Sequence, residues 1–418
     1  MNLIFNDYIE FLKYNGCKYD LKENYYWLDR QIIKAYDKNG ILHKILRVYT
    51  DNKLKISFKI YKKENFEIES WEETLERKKD KLLELEKESI KLIKEKMLEY
   101  KDYEPIIFTS GGKDSNIVTY LVRSIKNTKA LFNNTSLDCA DTYKYIKYVE
   151  NIKILNPKKG FYQWRKEKNF IPTRFARACC SVFKEGITLK YLNNDKKYLI
   201  FMGMRKSESS HRKKYTSEWK NKKWGDRPWQ TILPILEYSE EDVWLYIIWK
   251  NIHINEKYKK GYKRVGCAIA CPFYNKSTWV LDKYWYTSMY NRWQKILKED
   301  FIKNKKWTRL NCTLEEYMYS WNGGLVRENP NKEVINEFCE YNNLNKNIGK
   351  KYFNNKCSLN GCNKNVNNHE IIAMNLKFHG RNTNTVYCKK HLKEELNINN
   401  KEWNKYVKQF KNNDCELF

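Results

Sequence analysis

The sequence has no uninterrupted apolar run of roughly 18 residues or more, so a membrane-spanning helix is excluded. Its first residues, MNLIFNDYIEFLKYNG, lack the basic start and small-residue cleavage site of a signal peptide. No internal repeat is present. The Walker pattern GxxxxGK[ST] is missing, so any phosphate-binding loop must be of another kind. Acidic residues are few beside basic ones, 51 Asp+Glu against 80 Lys+Arg, which leaves a net charge of +29. That excess favours a polyanionic partner, most simply nucleic acid, although the lysine enrichment of an AT-rich genome gives the same number. The expected setting is cytoplasmic, with no membrane contact.

With no secretion signal, the twelve cysteines point to reduced thiols or metal ligands rather than a disulfide framework. Cys179-Cys180, Cys267/Cys271 and Cys357/Cys362/Cys388 are grouped, while Cys17, Cys139, Cys312, Cys339 and Cys415 are scattered.

Four segments follow from pattern. Residues 1–102 combine a hairpin, ILHKILRVYT and KLKISFKIY around Asp51-Asn52, with the charged helix LERKKDKLLELEKESIKLIKEKMLEY. That helix is either a coiled-coil arm or a helix lying on the domain surface. Residues 103–275 alternate strands and helices, which predicts a doubly wound parallel α/β sheet with its ligand at the carboxyl ends of the strands. Residues 276–350 form a helical extension rich in Trp, Tyr and Lys. Residues 351–418 are an Asn/Lys/Cys-rich tail, in which Cys357-x4-Cys362 and Cys388-x2-His391 read as a structural Zn²⁺ site of treble-clef or ribbon type. Zinc would supply the folding energy that so polar a segment lacks.

The apolar run Pro105–Phe108 leads directly into Thr109-Ser-Gly-Gly-Lys-Asp-Ser115. Two glycines allow close backbone approach to an anion, and the helix that follows points its positive end at it. Ser110 and Ser115 add hydroxyls and Lys113 a charge. Asp114 makes sense beside phosphate if it orients a donor or helps hold Mg²⁺. The hexapeptide Ser110–Ser115 resembles the PP-loop of the ATP pyrophosphatase superfamily, also called the adenine nucleotide alpha hydrolases. In order along the chain come Asn133–Ser136, Asp141-Thr142-Tyr143, Arg177-Ala-Cys179-Cys180-Ser-Val-Phe-Lys184, GMRKSESSHR (203–212), TILPILEYSEEDVWLYI (231–247) and INEKYKKGYKRVGCAIACP (254–272). Together these resemble the phosphoadenosine phosphosulfate (PAPS) reductase family of that superfamily over roughly residues 103–275.

The resemblance implies roles. Ser110, Gly111, Gly112, Lys113, Asp114 and Ser115 would bind the phosphates of ATP with Mg²⁺. Asn133 and Thr135 would lie beside the nucleoside. Arg205, Glu208 and Arg212 match the family's G-x-R-x-x-E-S element, with the arginines facing the phosphates or the reacting anion. The alternative for the arginines is a solvated basic loop. Cys179, Cys180, Cys267 and Cys271 resemble the four ligands of a [4Fe–4S] cluster in one branch. One departure stands out, since the family spaces the second pair Cys-x2-Cys and here Ala268-Ile269-Ala270 intervene.

Two reactions fit the family. In sulfonucleotide (APS or PAPS) reduction a terminal cysteine, here Cys415, attacks sulfur and sulfite is released. In sulfur transfer, as in the Dnd-type DNA phosphorothioation enzymes, ATP adenylates an acceptor oxygen and a sulfur nucleophile displaces AMP. An intact SGGKDS implies a pyrophosphate to hold, so sulfur transfer onto nucleic acid is the expectation, DNA ahead of tRNA, with a cysteine desulfurase or another sulfur donor as partner. Lys113, Asp114, Arg205 and Arg212 then carry catalysis. A third reading is a nucleotide- or DNA-binding module without catalysis. Between Arg205 and Arg227, nine Lys/Arg stand against three acidic residues, with Trp219 and Trp224 interleaved and Trp229 just beyond. Either these rings stack on unpaired bases or they belong to the core.

Overall fold

The structure, a computed structural model, describes residues 1–51, 53–61, 66–169, 171–173, 178–209, 212–220, 224–303, 313–322, 355–366, 368–379 and 385–412. It divides into two compact units, Met1–Phe170 with Cys179–Tyr290, and Ile171–Ala178 with Asn291–Phe418. Among the described residues no helix is long and apolar enough to cross a membrane.

The centre of the first unit is a sheet of β6 (Glu104–Thr109), β7 (Lys129–Asn133), β8 (Ile152–Leu155), β9 (Tyr198–Met202), β10 (Glu218–Trp219) and β11 (Trp229–Ile232), ordered β10-β11-β9-β6-β7-β8. Five of these strands run parallel, as expected, but β10 pairs antiparallel with β11 and closes one edge. Period-two alternation assigns the two faces. Ile107, Ala130, Leu199 and Phe201 join the core beneath α3 (Lys113–Arg123) and α8 (Glu240–Trp249). Ile106, Leu131, Tyr198 and Ile200 join a second core with Leu192, Trp224 and Trp229. The chain winds from β6 through β7 to β8 on one side, then returns as β9 on the other side of β6. The order therefore reverses between β6 and β9, and the crevice at their carboxyl ends is where such sheets bind ligands. Helices α4 (Ala140–Tyr148), α5 (Phe161–Glu167), α6 (Ala178–Cys180) and α7 (Gly186–Tyr191) fill the connections, with a π-helical turn over Ser181–Glu185.

The first hundred residues pack into this same unit. The predicted hairpin is present as β4 (Leu42–Thr50) with β5 (Ile56–Ile60), but it is part of a five-stranded antiparallel sheet with β1 (Asn2–Leu3), β2 (Tyr26–Asp29) and β3 (Ile32–Tyr36). Helix α1 (Asn6–Tyr14) lies beside it, and Tyr8 donates its N–H to Lys259 O at 3.1 Å. The charged helix α2 (Trp71–Glu99, 29 residues) is a brace rather than a free arm. Ser70 and Glu73 cap it reciprocally. Its stripe of Leu75, Leu82 and Ile93 enters the core with Trp244. Lys81 grips both oxygens of Asp242 at 2.7 Å, Lys78 pairs with Glu241, and Tyr246 donates to Glu86 at 2.6 Å. All three contacts fasten α8.

The tryptophans of the basic stretch resolve unevenly. Trp224 and Trp229 are core residues packed edge-on at 5.5 Å, so they are not stacking platforms. Trp219 stays half-exposed and stacks on Tyr215 at 4.8 Å.

In the second unit the described residues form a short hairpin, Asn355–Lys356 with Asn365–Val366, and the helices His369–His379, Lys389–Glu395 and Asn400–Asn412. Buried Met374, Leu392 and Trp403 join the helices. Of the segment 276–350, the described residues include the helices Lys276–Trp285, which belongs to the first unit, Thr287–Lys303 and Leu314–Ser320; residues 304–312 and 323–350, with Cys312 and Cys339, and also Cys415 lie outside the described residues.

The seat of α1 rests on Gly261, where φ is +87° and an added Cβ would lie 2.2 Å from the Tyr8 ring. Gly261→Ala combines a left-handed penalty with displacement of that ring. It should destabilise the protein by roughly 2–4 kcal/mol, read as a lowered urea midpoint.

Candidate functional site

The loop after β6 is built by its own small side chains. Gly111 takes φ +69°, its N–H donating to Thr109 Oγ1 at 3.1 Å. Ser115 Oγ donates to Gly112 O at 2.8 Å and accepts from the Ser110 N–H at 3.3 Å, closing the turn beneath the start of α3. The hydroxyl of Tyr258 accepts the Lys113 N–H at 3.0 Å. The exit of β9 presses against this turn. At Gly203 an added Cβ would meet Asp114 C at 2.7 Å and Asp114 O and Ser115 N at 2.8 Å, so only glycine fits.

Four charges meet in the crevice. Lys113 Nζ lies 3.0 Å from Asp114 Oδ2 and 3.1 Å from Glu240 Oε1. Arg205 Nε lies 2.5 Å from Asp114 Oδ1, and its Nη2 pairs with Glu240 Oε2. Arg205 Nη1 donates to Ser207 Oγ at 2.7 Å. Both cations are almost wholly buried, whereas the carboxylates keep an edge to solvent. Burial works against the Lys113 ammonium, but Tyr258, Asp114 and Glu240 outweigh it and hold its pKa above the ordinary lysine value. Burial likewise opposes the Asp114 charge, and Lys113 with Arg205 overcomes that and pulls its pKa below the usual range. Lys113 and Asp114 are therefore both charged at neutral pH. Arg212 stands at the rim, one-third exposed and paired with Glu208, within electrostatic reach of Asp114. Ser110 is exposed at the mouth.

Sequence reasoning named Lys113, Asp114, Arg205 and Arg212 but missed Glu240, Tyr258 and Gly203. Glu240 had a signal, being the first residue after the N-cap Ser239 in a helix that follows a strand at the ligand edge. Asn133 and Thr135, expected beside the nucleoside, make their hydrogen bonds within the protein. Asn133 Nδ2 donates to Lys184 O at 2.6 Å and Thr188 Oγ1 at 2.7 Å. Thr135 donates to Asp138 at 2.7 Å and hydrogen-bonds Cys267. Both residues tie the exit of β7 to cysteine-bearing segments.

Cys179 and Cys180 close the short helix α6, Cys267 and Cys271 lie in the turn after α8, and the four share one neighbourhood. The Cys179 thiol is pushed up first by its hydrogen bond with Cys180, then by burial and by the neighbouring sulfurs of Cys267 and Cys271. Lys184 and Arg264 supply positive charge, Arg264 Nη2 lying 3.6 Å from Cys271 Sγ. Four thiols from two separate segments with two cations beside them suit an anionic polynuclear cluster, which spreads its ligands over several metal ions. The additional residue of the second pair is absorbed by a tight turn. Ile269 takes φ +58°, and the Ala270 N–H donates to Ala268 O at 2.6 Å. A β-branched residue in that conformation costs about 1–3 kcal/mol.

The C-terminal quartet is tighter. Cys357, Cys362, Cys388 and His391 place their ligand atoms within 4.8 Å of one another, the one such set among the described residues. Cys357 Sγ and Cys388 Sγ lie 3.2 and 3.4 Å from His391 Nδ1. These separations match the edges of a tetrahedron around a single ion. Gly361, at φ +83°, makes the turn of the first pair, and Cys388 is the N-cap of Lys389–Glu395. Burial opposes a Cys388 thiolate, but the N–H groups of His391 and Lys390 and the partner thiols lower its pKa.

Residues 104–272 match the phosphoadenosine phosphosulfate reductase domain. Two uncharacterized proteins of Methanocaldococcus jannaschii are similar, one 34% identical over 244 residues and the other 30% over 206. The matches take in 56% and 46% of this chain but only 58% and 40% of those relatives, so the chain spans about half their length. Among solved structures, PAPS reductase from Candida auris in its phosphate complex aligns at 15% identity and TM-score 0.36, over 46% of this chain and 93% of that one. Candida glabrata FMN adenylyltransferase with FAD and pyrophosphate aligns at 16% and 0.32, over 45% and 62%.

Two results should follow. Gly203→Ala should weaken nucleotide binding at least tenfold while the far-ultraviolet circular dichroism is retained, because it pushes the β9 exit off the loop. The protein should carry one tightly held metal ion on its C-terminal quartet. Cys388→Ser should lose that ion in metal analysis and expose the Asn355–Asn412 segment to trypsin.

Proposed function

We propose that this PAPS reductase domain, in a cytoplasmic protein, serves an ATP-dependent sulfurtransferase that modifies nucleic acid, DNA ahead of tRNA. The observation that carries this reading is the complete Ser110–Ser115 loop, whose Lys113 and Asp114 are both charged and knitted to Arg205 and Glu240. A sulfonucleotide has no β- or γ-phosphate for such a loop to hold.

In this reading the loop and the start of α3 seat the β- and γ-phosphates of ATP, aided by the helix dipole. Asp114 and Glu240 are the carboxylates that would hold Mg²⁺. Lys113 and Arg205 neutralise charge on the departing pyrophosphate, and Arg212 at the rim faces the α-phosphate. An acceptor oxygen attacks the α-phosphorus, the bond to pyrophosphate breaks, and the acceptor becomes an AMP ester. Sulfur arrives as a persulfide on a cysteine desulfurase or another donor, and its terminal sulfur attacks the acceptor atom. The bond to the original oxygen breaks, AMP leaves with that oxygen, and a dithiol reductant supplies the two electrons that cleave the resulting disulfide, leaving the thiolated acceptor and the donor thiol. Adenylation is needed because oxide is a poor leaving group and AMP a good one.

Cys179, Cys180, Cys267 and Cys271 would hold a [4Fe–4S] cluster, which in such a site binds or relays sulfur. Cys357, Cys362, Cys388 and His391 would hold structural Zn²⁺. Polyanion contact falls to the basic stretch around Arg212, Lys213, Lys214 and the Tyr215–Trp219 stack.

Protein purified without oxygen should release AMP and pyrophosphate from ATP with Mg²⁺, stimulated by DNA or tRNA. Asp114→Asn, which keeps the side chain's shape and hydrogen-bonding oxygen, should lower that rate about 100-fold or more. Sulfite released from adenylyl sulfate or PAPS, with ATP inert, overturns the reading and makes Cys415 the first residue to replace.

A further inference from the structure

Lys257 is an anomaly that the nucleotide chemistry does not use. Its side chain has no exposure to solvent. A buried lysine is costly unless its charge is compensated and its N–H donors are taken. Here Nζ donates to Gly266 O at 3.4 Å and to Tyr274 Oη at 3.3 Å. The Tyr262 ring lies 4.7 Å away, within cation–π range. Tyr262 in turn donates its hydroxyl to buried Asp282 Oδ1 at 2.7 Å, and Asp282 accepts the backbone N–H of Ile269.

These contacts converge on one object. Gly266, at φ +148°, is the residue before Cys267, and Ile269 is the left-handed centre of the Cys267–Cys271 turn. Lys257 therefore holds the carbonyl that enters the turn, while Asp282 holds the N–H at its apex. Tyr274, on the far side, meets Lys257 and takes its own N–H to Cys271 O at 3.1 Å. The additional residue between the two cysteines creates a strained apex, and the buried charges sit at its two polar ends.

We infer that Lys257, acting with Tyr262 and Asp282, is a positioning residue that clamps the Cys267-x3-Cys271 turn, so that both thiols face Cys179 and Cys180 despite the longer spacing. This goes beyond the sulfurtransfer reading, because it concerns the thiols whatever they bind.

The test compares full-length wild type with Lys257→Met, which keeps the length and volume of the side chain but removes the ammonium. After iron is removed with a chelator, iodoacetamide labelling is followed by mass spectrometry, with the Cys179–Cys180 peptide as internal reference. Labelling of Cys267 and Cys271 should rise at least fivefold, and iron and sulfide bound after reconstitution should fall by at least half. Adding Ile269→Gly relaxes the left-handed apex and should bring the labelling rate back to within twofold of wild type. Unchanged labelling in Lys257→Met overturns the inference. So does a rise that Ile269→Gly fails to reverse, because that marks general core damage. Should Lys257→Met alone not fold, recovery of folded protein in the double variant supports the clamp, and failure of the double variant overturns it. If wild type takes up no iron and sulfide, the cluster part of the function above fails, while the labelling rates still judge the clamp.

Discussion

The arrangement that the nucleotide domain depends on is the square of Lys113, Asp114, Arg205 and Glu240. Burying a single charge here would be prohibitive, and each of these charges is tolerable only because two opposite ones touch it. That requirement fixes three separate pieces of chain at once: the start of α3, the exit of β9 and the first turn of α8. Lys113 and Asp114 come from the first, Arg205 from the second and Glu240 from the third. Much of the surrounding architecture serves their registration. Helix α2 grips Glu241 and Asp242, the two residues after Glu240, through Lys78 and Lys81. The N-terminal sheet adds Asn2, whose side chain accepts the Trp244 indole N–H at 3.0 Å. The first hundred residues thus act on the site through α8.

Two sulfur-rich sites on one chain show how differently the same ligands can be prepared. The C-terminal quartet is closed, with its donors already at tetrahedral separations and drawn from a knuckle and a helix N-terminus. Its small apolar core, including Val366, Ile372 and Val386, packs around Cys357 and Cys388. The quartet in the nucleotide domain is looser and lies among Lys184, Arg264 and the buried Lys257 cage. The first arrangement suits an ion that holds a fold together. The second suits a larger anionic group that needs counter-charge and shape.

Much of this was legible from the chain. The SGGKDS loop, the strand–helix alternation and the spacing of Cys357, Cys362, Cys388 and His391 are local signals, and local signals survive without a structure. Long-range partners are not local. Nothing in the sequence near Lys113 announces Glu240, 127 positions further on, and Gly203, although it opens the G-x-R-x-x-E-S element, shows why it must be glycine only when Asp114 and Ser115 are placed against it. The tryptophans after Arg205 were ambiguous for a related reason. An aromatic ring beside lysines looks like a stacking surface, and only the position of β11 in the sheet reveals Trp229 as core. The antiparallel β10 was invisible because a two-residue edge strand has no periodicity to read.

The close approach at Gly203 has a consequence for which changes the chain tolerates. With no room for even a methyl group between the β9 exit and the start of α3, position 203 admits no side chain while the backbone of Asp114 and Ser115 keeps its place. A substitution that shifts either segment must therefore shift the other with it, so the loop after β6 and the exit of β9 behave as one unit toward mutation.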